Sequence, residues 1–502
     1  MSLRYDLIVI GGGPGGAACA TFVAMQKHRV LLLEKSPTQP FKIGESLLPV
    51  TIRGICTLLG VDEEIAREGF VKKTGGRFIW GHDREPWDFL FNVSNDISQP
   101  SASAYQVERH VFDAILLRNA ETKGVDVRFG HTALDVVTDS TGRATGVRYL
   151  DADGVTHTAT ARYIADASGQ SGSLTDFVGR RVQSEFFRNI ASFRYYKDAE
   201  RLSEPISGNV LSVTFEHGWF WYIPLRNGVT SVGVVFGREY PHRQNGRDAL
   251  FDEFLSQCPE ISALLGNATQ ITEGIHGGTR QWRDYSYTST AFYKQGVVLI
   301  GDAACFLDPL FASGVHLTTF AALLAARSIN TRLLGISSDE KCFTEYEARF
   351  RREFSLFYDF IAAFYDVHHE NEAEFWKRRK IATSAERENS EFLALLDGFD
   401  GFKGLPDQRR LNFWVTRTEL GAALFPKAAG RASTSEAARR QRSRLLGSLF
   451  GELTRLQLQA MLQDKRPPET PIREGGLIPT QDGLHWTTTE DHEGEADVLA
   501  VI

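Results

Sequence analysis

The chain has 502 residues, 42% of them hydrophobic and 24% charged, a composition that excludes disordered, collagen-like and disulfide-framework proteins and allows two or three domains. Its 56 Lys and Arg residues against 63 Asp and Glu residues give a net charge of −7, so a nucleic-acid partner is not expected. The five cysteines have no pair at metal-site or redox spacing, and we find neither a signal-peptide pattern nor a membrane-length apolar run. These features predict a reduced, cytoplasmic protein without a metal site or a membrane span.

The first elements predict a strand, a helix and a second strand. An apolar run at 5–10 is followed by the glycine-rich residues 11–16 and by apolar residues at helical spacing over 17–27. Residues 29–34 form the next apolar run. This order is typical of a parallel sheet with a right-handed crossover.

The middle of the chain carries further strand patterns. Strands are predicted at 125–128, 145–150 and 160–165, and residues 208–238 alternate as antiparallel strands do. The apolar run at 296–301 predicts another buried parallel strand.

The last third of the chain is predicted to be mostly helical. Residues 312–334 indicate a buried helix, and residues 343–365 carry an aromatic stripe that indicates core packing, with a substrate wall as the alternative. A helix over 431–462 begins with an arginine cluster, which predicts either a solvated face or a docking face for an acidic partner. The tail from 465 is Pro-rich and then acidic, and we expect it to be loosely ordered.

A glycine motif follows the first strand. Gly11, Gly13 and Gly16 form G-x-G-x-x-G, and Glu34 ends the second strand. In this pattern the glycines permit the tight turn, the approach of a pyrophosphate and close helix packing, while the acid accepts hydrogen bonds from a ribose diol. The motif in this context predicts a bound dinucleotide.

Three later segments favour FAD over NAD. Gly301 and Asp302 end a buried strand, where the carboxylate can bind a polyol, although Asp302 could instead cap a helix. Together with the ADASG segment at 165–169 and with Arg109 before a helix, they resemble the FAD-binding fold of aromatic hydroxylases and their relatives.

A tryptophan motif narrows the resemblance. Trp219, Trp221, Ile223 and Pro224 form the W-x-W-x-I-P signature of flavin-dependent halogenases. Segments 43–49, 70–81 and 301–316 accompany the signature. Over roughly residues 1–365 the chain resembles this family, most closely the branch acting on phenols, which includes enzymes for tyrosyl groups on carrier proteins.

The resemblance implies a reaction and a set of residues. Reduced FAD, O₂ and chloride or bromide would generate hypohalous acid, which Lys73 would receive as an ammonium or as a haloamine-forming amine. Trp219 and Trp221, with Ile223 and Pro224, would separate substrate from flavin. Lys72 serves as a control, because neighbours on a strand point to opposite faces.

The resemblance also implies residues at the cofactor and at the halide. FAD contacts are expected from Ser46, Arg109 and Pro309, in addition to the glycine motif, Glu34, Gly301 and Asp302. Ser313 and Gly314 match the halide-binding turn, with a plain helix N-cap as the alternative for Ser313.

One departure from the family bears on the substrate. Tryptophan halogenases carry a glutamate just before the halide turn, where this chain has Phe311 and Ala312. The substrate should therefore supply its own activation, as a phenol or a pyrrole does. The candidate bases for the phenol proton remain unranked: they are Glu45, Asp308, His316 and Glu216.

The expected fold class is α/β, a Rossmann-type FAD-binding domain of the aromatic-hydroxylase kind with an antiparallel sheet module and a helical C-terminal region. The domains are predicted as follows: FAD-binding domain 1–180 and 291–335, antiparallel sheet module 181–290, and a mostly helical region 336–502 with a loose acidic tail. The expected function is an FADH₂-dependent halogenase of secondary metabolism that acts on a phenol, either free or linked to a carrier protein. We expect a separate flavin reductase to supply the FADH₂. An aromatic hydroxylase, a pyrrole halogenase and a non-enzymatic flavin-binding scaffold are the alternatives.

Overall fold

The computed structural model describes residues 4–80, 84–91, 103–240, 246–366, 373–378, 391–392, 395, 471–472 and 475–488. Within these residues the strands, in chain order, are β1 Arg4–Ile10, β2 Val30–Glu34, β3 Val71–Lys73, β4 Gly75–Ile79, β5 Trp87–Leu90, β6 Ala104–Gln106, β7 Asp126–Phe129, β8 Thr132–Thr138, β9 Ala144–Leu150, β10 Thr156–Asp166, β11 Arg181–Lys197, β12 Val210–Phe215, β13 Gly218–Pro224, β14 Val229–Gly237, β15 Thr269–Gln270, β16 Arg280–Ser289, β17 Tyr293–Lys294, β18 Val297–Leu299, β19 Cys305–Phe306, β20 Ile478–Pro479 and β21 Trp486–Thr487. The α-helices are α1 Pro14–Ala24, α2 Thr57–Leu59, α3 Asp62–Arg67, α4 Arg109–Thr122, α5 Thr175–Val178, α6 Gly246–Ser256, α7 Pro259–Leu264, α8 Gly314–Leu333, α9 Asp339–Asp366 and α10 Glu374–Lys377. The arginine-rich segment 431–462 lies outside the described residues.

The first sheet contains the predicted parallel core. Its strand order is β17-β18-β10-β1-β2-β7, with β9 paired to β10 and β8 paired to β9. The central pairs β18–β10, β10–β1, β1–β2 and β2–β7 are parallel. Every residue of β2 is buried, as expected for a strand covered on both faces. The predicted α/β class with a Rossmann-type core is confirmed.

The second sheet is almost entirely antiparallel and carries the tryptophan motif on β13. Its order is β19-β16-β11-β14-β13-β12-β4-β5, and β15 joins β11. Strands β4 and β5 come from within the predicted domain 1–180, and β4 pairs with β12 in parallel. Pairing between such distant segments depends on tertiary packing, which the local alternation pattern does not report.

The helical layer explains the aromatic stripe of residues 343–365. These residues lie on α9, which packs along α8, while α8 also contacts α1 under the first sheet. Phe350, Phe354, Phe357 and Phe364 are each no more than 1% exposed, so the predicted packing role is correct. The far end of the same helix also reaches the tryptophan motif, as described below.

The expectation of a loosely ordered tail from 465 is wrong for residues 475–488. The β20–β21 hairpin packs against α8, and Trp486 is fully buried there. Its Nε1 donates a hydrogen bond to Ser328 Oγ at 2.9 Å, and its backbone N–H donates to Thr331 Oγ1 at 2.8 Å. A single large aromatic side chain therefore anchors a segment whose average composition indicates disorder. The acidic end, 489–502, lies outside the described residues.

All five cysteines fall within the described residues, where each is buried and free. No helix in that part of the chain combines the length and the apolar character needed to cross a bilayer.

Candidate active site

The turn between β1 and α1 forms an open cradle at the edge of the parallel sheet. Gly11 has φ +103°, and a Cβ at this position would lie 2.5 Å from the carbonyl oxygen of Ala167. A Cβ on Gly16 would lie 1.9 Å from the carbonyl oxygen of Gly11. At Gly13, by contrast, a Cβ would meet nothing within 4 Å. Gly11 and Gly16 are thus required by the fold, while Gly13 faces free space suited to a pyrophosphate at a helix N-terminus.

Glu34 holds this cradle from the second strand. Its Oε2 accepts a hydrogen bond from the backbone N–H of Gly12 at 2.7 Å, and its Oε1 accepts one from Ser36 at 2.8 Å. A carboxylate oxygen has two lone pairs, so both oxygens retain acceptor capacity for a ribose diol. Glu34 therefore stabilises the loop as well as fitting the nucleotide.

Arg109, Asp302 and Ser46 are three further residues predicted to hold FAD. Asp113 holds the guanidinium of Arg109 through two hydrogen bonds of 2.9 and 3.0 Å, and Arg109 Nη1 donates to the carbonyl oxygen of Ile43 at 2.8 Å. Burial raises the pKa of Asp302 to about 6, and the charge of Arg109 opposes that shift. Ser46 is buried, and its Oγ has no hydrogen-bond partner within the described residues. This set of donors and carboxylates fits the polar groups of FAD.

Lys73 and Lys72 point to opposite sides of β3. Lys72 is exposed, whereas Lys73 is only 2% exposed. Strand β3 pairs with β6, and the Lys73 ammonium donates a hydrogen bond to the carbonyl oxygen of Leu47 at 3.0 Å. It also lies 5.3 Å from the ring centroid of Phe91. Burial lowers the pKa of Lys73 from 10.5 to about 7, so the neutral amine is accessible at neutral pH.

The two tryptophans of the motif share one face of β13. Their ring centroids lie 6.2 Å apart. Trp219 Nε1 donates to the hydroxyl of Tyr365 at 2.6 Å, and that hydroxyl donates to Asp308 Oδ2 at 2.9 Å. Trp221 Nε1 donates to Ser231 Oγ at 3.3 Å. Both indoles are therefore held in fixed orientations by buried hydrogen bonds.

Aromatic rings from three distant segments close the space beside Trp219. Trp80 lies 6.0 Å from Trp219 and 4.9 Å from Phe364, measured between ring centroids. Phe311 lies 5.0 Å from Phe364 in an edge-on arrangement. The end of α9 thus forms a wall beside the tryptophan motif, so the stripe of residues 343–365 contributes both to the core and to this wall.

The predicted halide turn lies at the N-terminus of α8. A 3₁₀ turn, Pro309–Phe311, precedes it, and Ala312 has φ +56°. Ser313 is the N-cap residue, yet its side chain makes no capping hydrogen bond. Its Oγ is buried without a hydrogen-bond partner in the described part of the chain. An orphaned buried hydroxyl beside the free N–H groups of a helix is suited to an anion.

The four candidate bases differ in their surroundings. Glu216 is exposed, and Asp308 is engaged by Asn189 Nδ2 at 2.7 Å in addition to Tyr365. His316 Nε2 pairs with Glu353 at 2.8 Å. Glu45 is 2% exposed and accepts a hydrogen bond from the Tyr195 hydroxyl at 2.7 Å, and burial raises its pKa to about 7.

Sequence reasoning missed several of these partners. Tyr365 and Asn189, which bind Asp308, and Tyr195, which binds Glu45, carried no motif signal. Each lies at least 57 positions from its partner along the chain, so no local pattern could have paired them.

Comparison with known proteins agrees with this geometry. The family model described as tryptophan halogenase matches residues 6–101 and 92–417. A tryptophan 2-halogenase of Chondromyces crocatus is 30% identical over 377 residues, covering 75% of this chain and 70% of that protein. A 1H-pyrrole-2-carbonyl-[peptidyl-carrier protein] chlorinase of Pseudomonas fluorescens is 29% identical over 381 residues, covering 72% of this chain and 83% of that protein.

Solved structures give the same assignment. The myxobacterial chondrochloren halogenase CndH is 43% identical, with a TM-score of 0.76, 97% of this chain covered and 100% of that chain. The flavin-dependent halogenase CmlS is 27% identical, with a TM-score of 0.74, 96% of this chain covered and 84% of that chain. The fold, the nucleotide cradle and these likenesses lead to one conclusion: the chain belongs to the flavin-dependent halogenases, oxidoreductases that work with reduced FAD, O₂ and a halide.

Proposed function

We propose that this halogenase delivers chlorine or bromine through Lys73 to the ring of a phenol, such as a tyrosyl group linked to a carrier protein. The observation that carries the proposal is the burial of a lysine with a pKa near 7 next to an exposed lysine of the same strand. A buried amine of this kind costs stability, so its retention points to chemistry at its nitrogen.

The cofactor is proposed to be held by the glycine cradle, Glu34, Ser46, Arg109, Gly301, Asp302 and Pro309. When bound, reduced FAD supplies hypohalous acid from O₂ and the halide. The halide is proposed to bind between the orphaned Ser313 hydroxyl and the N–H groups that begin with Gly314.

The protein's own part is to confine and redirect this oxidant. The hydrogen-bonded indoles of Trp219 and Trp221 form a rigid partition that keeps the substrate ring away from the cofactor. Lys73 either hydrogen-bonds the hypohalous acid as an ammonium or, as the amine, forms an N–halogen bond with loss of water. In both cases the halogen passes to the ring as an electrophile. In the first, the hydroxide that leaves the halogen combines with the ring proton as water; in the second, the lysine nitrogen takes up that proton, so the lysine returns to its starting state.

The residues before the halide turn support an electron-rich substrate. Phe311 and Ala312 precede the halide turn, so the chain has no carboxylate at these two positions to assist attack on an unactivated ring. A phenol supplies electron density itself when its hydroxyl proton leaves.

Reduced FAD is proposed to come from a separate flavin reductase. The relative that is named a carrier-protein chlorinase supports a tethered substrate.

The test is a product assay with FAD, a flavin reductase, NADH and bromide, using tyrosyl, other phenolic and pyrrole substrates in free and carrier-linked forms. We expect brominated tethered phenol from the wild type and from Lys72→Met. We expect none from Lys73→Met, which should still consume NADH and release peroxide.

The other outcomes separate the alternatives. An oxygenated ring formed without bromide would indicate a hydroxylase, and preferential bromination of the pyrrole would indicate a pyrrole halogenase. Full bromination by Lys73→Met would overturn the role of the lysine.

A further inference from the structure

A cavity of about 560 Å³ opens beside the strand that carries Lys73, outside the site described above. Its lining includes Val71 on β3, Ser207 on the loop before β12, Gly228 in the β13–β14 turn, and the arginines 201 and 226. Its volume lies in the range of pockets that bind small organic ligands. Two guanidinium groups in one cavity indicate an anionic ligand, provided that the protein does not already neutralise them.

The charge of Arg226 is already neutralised. Its Nη1 lies 2.9 Å from a carboxylate oxygen of Glu68, and its Nε lies 2.9 Å from one of Glu108. The guanidinium also stacks over Phe70, with 4.8 Å between its central carbon and the ring centroid. Arg226 is therefore a structural element of the cavity wall.

Arg201 is in a different position. Its Nη2 donates to the carbonyl oxygens of Leu225 at 2.7 Å and Val229 at 3.1 Å, which are uncharged acceptors. Its Nη1 is buried and has no hydrogen-bond partner within the described residues. Burial lowers the pKa of Arg201, which is the effect expected for a cation without a counter-charge.

Glu68 lines the same cavity, but its carboxylate is paired with Arg226, and Arg201 has no ion pair among the described residues. A Cβ on Gly228 would lie 2.8 Å from Asp198 Oδ1 and 3.5 Å from Lys197 Nζ, so one charge of each sign lies near this turn. A partly buried guanidinium with an unused N–H group is costly to maintain. Bidentate binding of an oxyanion would satisfy both the charge and the free donor.

The position of the cavity relates it to the reactive lysine. Val71 lies two residues before Lys73 on β3, which corresponds to about 7 Å along the strand. A ligand that is anchored by an anion at Arg201 could therefore extend along β3 towards the lysine.

We propose that Arg201 binds the phosphodiester of a phosphopantetheine arm that carries the aromatic substrate. This inference rests on the proposed carrier-linked substrate. Once an aromatic amino acid is held as a thioester it has no free carboxylate, so the phosphodiester at the far end of the arm is the oxyanion that the tethered substrate retains. Free tyrosine offers a carboxylate of similar geometry, and the experiment separates these two sources.

The experiment compares three substrates for bromination: tyrosyl-S-phosphopantetheine, tyrosyl-S-pantetheine, which lacks the phosphate, and free tyrosine. For the wild type we expect a KM roughly tenfold or more lower for the phosphorylated thioester than for the other two, with similar kcat. Arg201→Gln should remove that KM advantage and leave the KM for tyrosyl-S-pantetheine unchanged. Arg148→Gln, a substitution of an exposed arginine on β9, is the matched control and should behave as wild type.

A binding measurement distinguishes failure of this site from failure of the proposed substrate. Calorimetry with phosphopantetheine and with pantetheine requires no turnover. If the wild type binds the phosphorylated form and Arg201→Gln does not, the site is supported even if no thioester is brominated. Equal KM values and equal affinities with and without the phosphate would overturn the inference and leave the halogenase function intact. The comparison of ligands uses wild-type protein, so it holds even if Arg201→Gln folds poorly. A preference for free tyrosine that depends on Arg201 would assign the site to a carboxylate and refute the phosphodiester.

Discussion

Replacing Lys73 with methionine should make the protein more stable while it abolishes halogenation. The lysine is 2% exposed, and burial lowers its pKa from 10.5 to about 7. Methionine has a similar length and an uncharged side chain, so it fills the same space without the cost of burying a charge.

The size of the effect follows from the pKa. A shift from 10.5 to about 7 corresponds to about 5 kcal/mol at about 1.4 kcal/mol per unit. Loss of the hydrogen bond to the Leu47 carbonyl oxygen subtracts about 1–2 kcal/mol. We expect Lys73→Met to raise the free energy of unfolding by about 3 kcal/mol at pH 6.

The pH dependence has a definite sign. Below pH 7 the lysine is protonated in both the folded and the unfolded protein, so the full cost of burial is present. Between pH 7 and 10.5 the folded protein holds the neutral amine, and the cost falls as the pH rises. The advantage of the variant should therefore shrink by about 2–3 kcal/mol between pH 7 and pH 9.

The assay is urea unfolding of wild type, Lys73→Met and Lys72→Met at pH 6, 7, 8 and 9. Lys72→Met should match the wild type throughout, because Lys72 is exposed. If Lys73→Met is no more stable than the wild type at pH 6, or if its advantage stays constant up to pH 9, the reasoning from burial is refuted.

Four other substitutions test separate parts of the structure. Gly16→Ala should destabilise the fold by about 3 kcal/mol and abolish FAD binding, because the new Cβ would lie 1.9 Å from the Gly11 carbonyl oxygen. Gly13→Ala should leave stability within about 0.5 kcal/mol and weaken FAD binding alone, as measured by thermal unfolding and flavin fluorescence. Glu45→Gln should be more stable than wild type at pH 8 and equal to it at pH 4.5, because burial raises the carboxyl pKa from 4.5 to about 7 and the cost of ionisation is complete only above pH 7. Trp486→Ala should lower the free energy of unfolding by about 3–5 kcal/mol in urea, since it empties a fully buried site.

Three outcomes would contradict these predictions. Normal FAD affinity in the Gly13 variant would place the pyrophosphate elsewhere. If Glu45→Gln changes the free energy of unfolding equally at both pH values, the carboxyl group of Glu45 is not desolvated. If Trp486→Ala leaves the free energy of unfolding unchanged, the hairpin contributes little to the stability of the fold.

Local patterns in the sequence were sufficient for the nucleotide cradle. The φ of +103° at Gly11 and the contact between Gly16 and the Gly11 carbonyl oxygen both arise within a single turn, whereas the close approach of Gly11 to Ala167 comes from a distant segment. The parallel strands were also recognisable, because strands buried on both faces show as continuous apolar runs. The pairing of β4 with β12 was not recognisable, because it joins segments more than 130 residues apart.

The sequence by itself determined the fold class, the FAD cradle and the family, since each is encoded in short motifs or in the period of apolar residues. Tertiary structure alone decided the burial of Lys73 and the chain of hydrogen bonds from Trp219 through Tyr365 to Asp308. It also decided that Arg201 Nη1 is buried without a hydrogen-bond partner among the described residues. The physical reason is that a side chain's solvation and charge partners come from whichever segments pack around it. Those segments lie far apart in the chain, so no local pattern can report them.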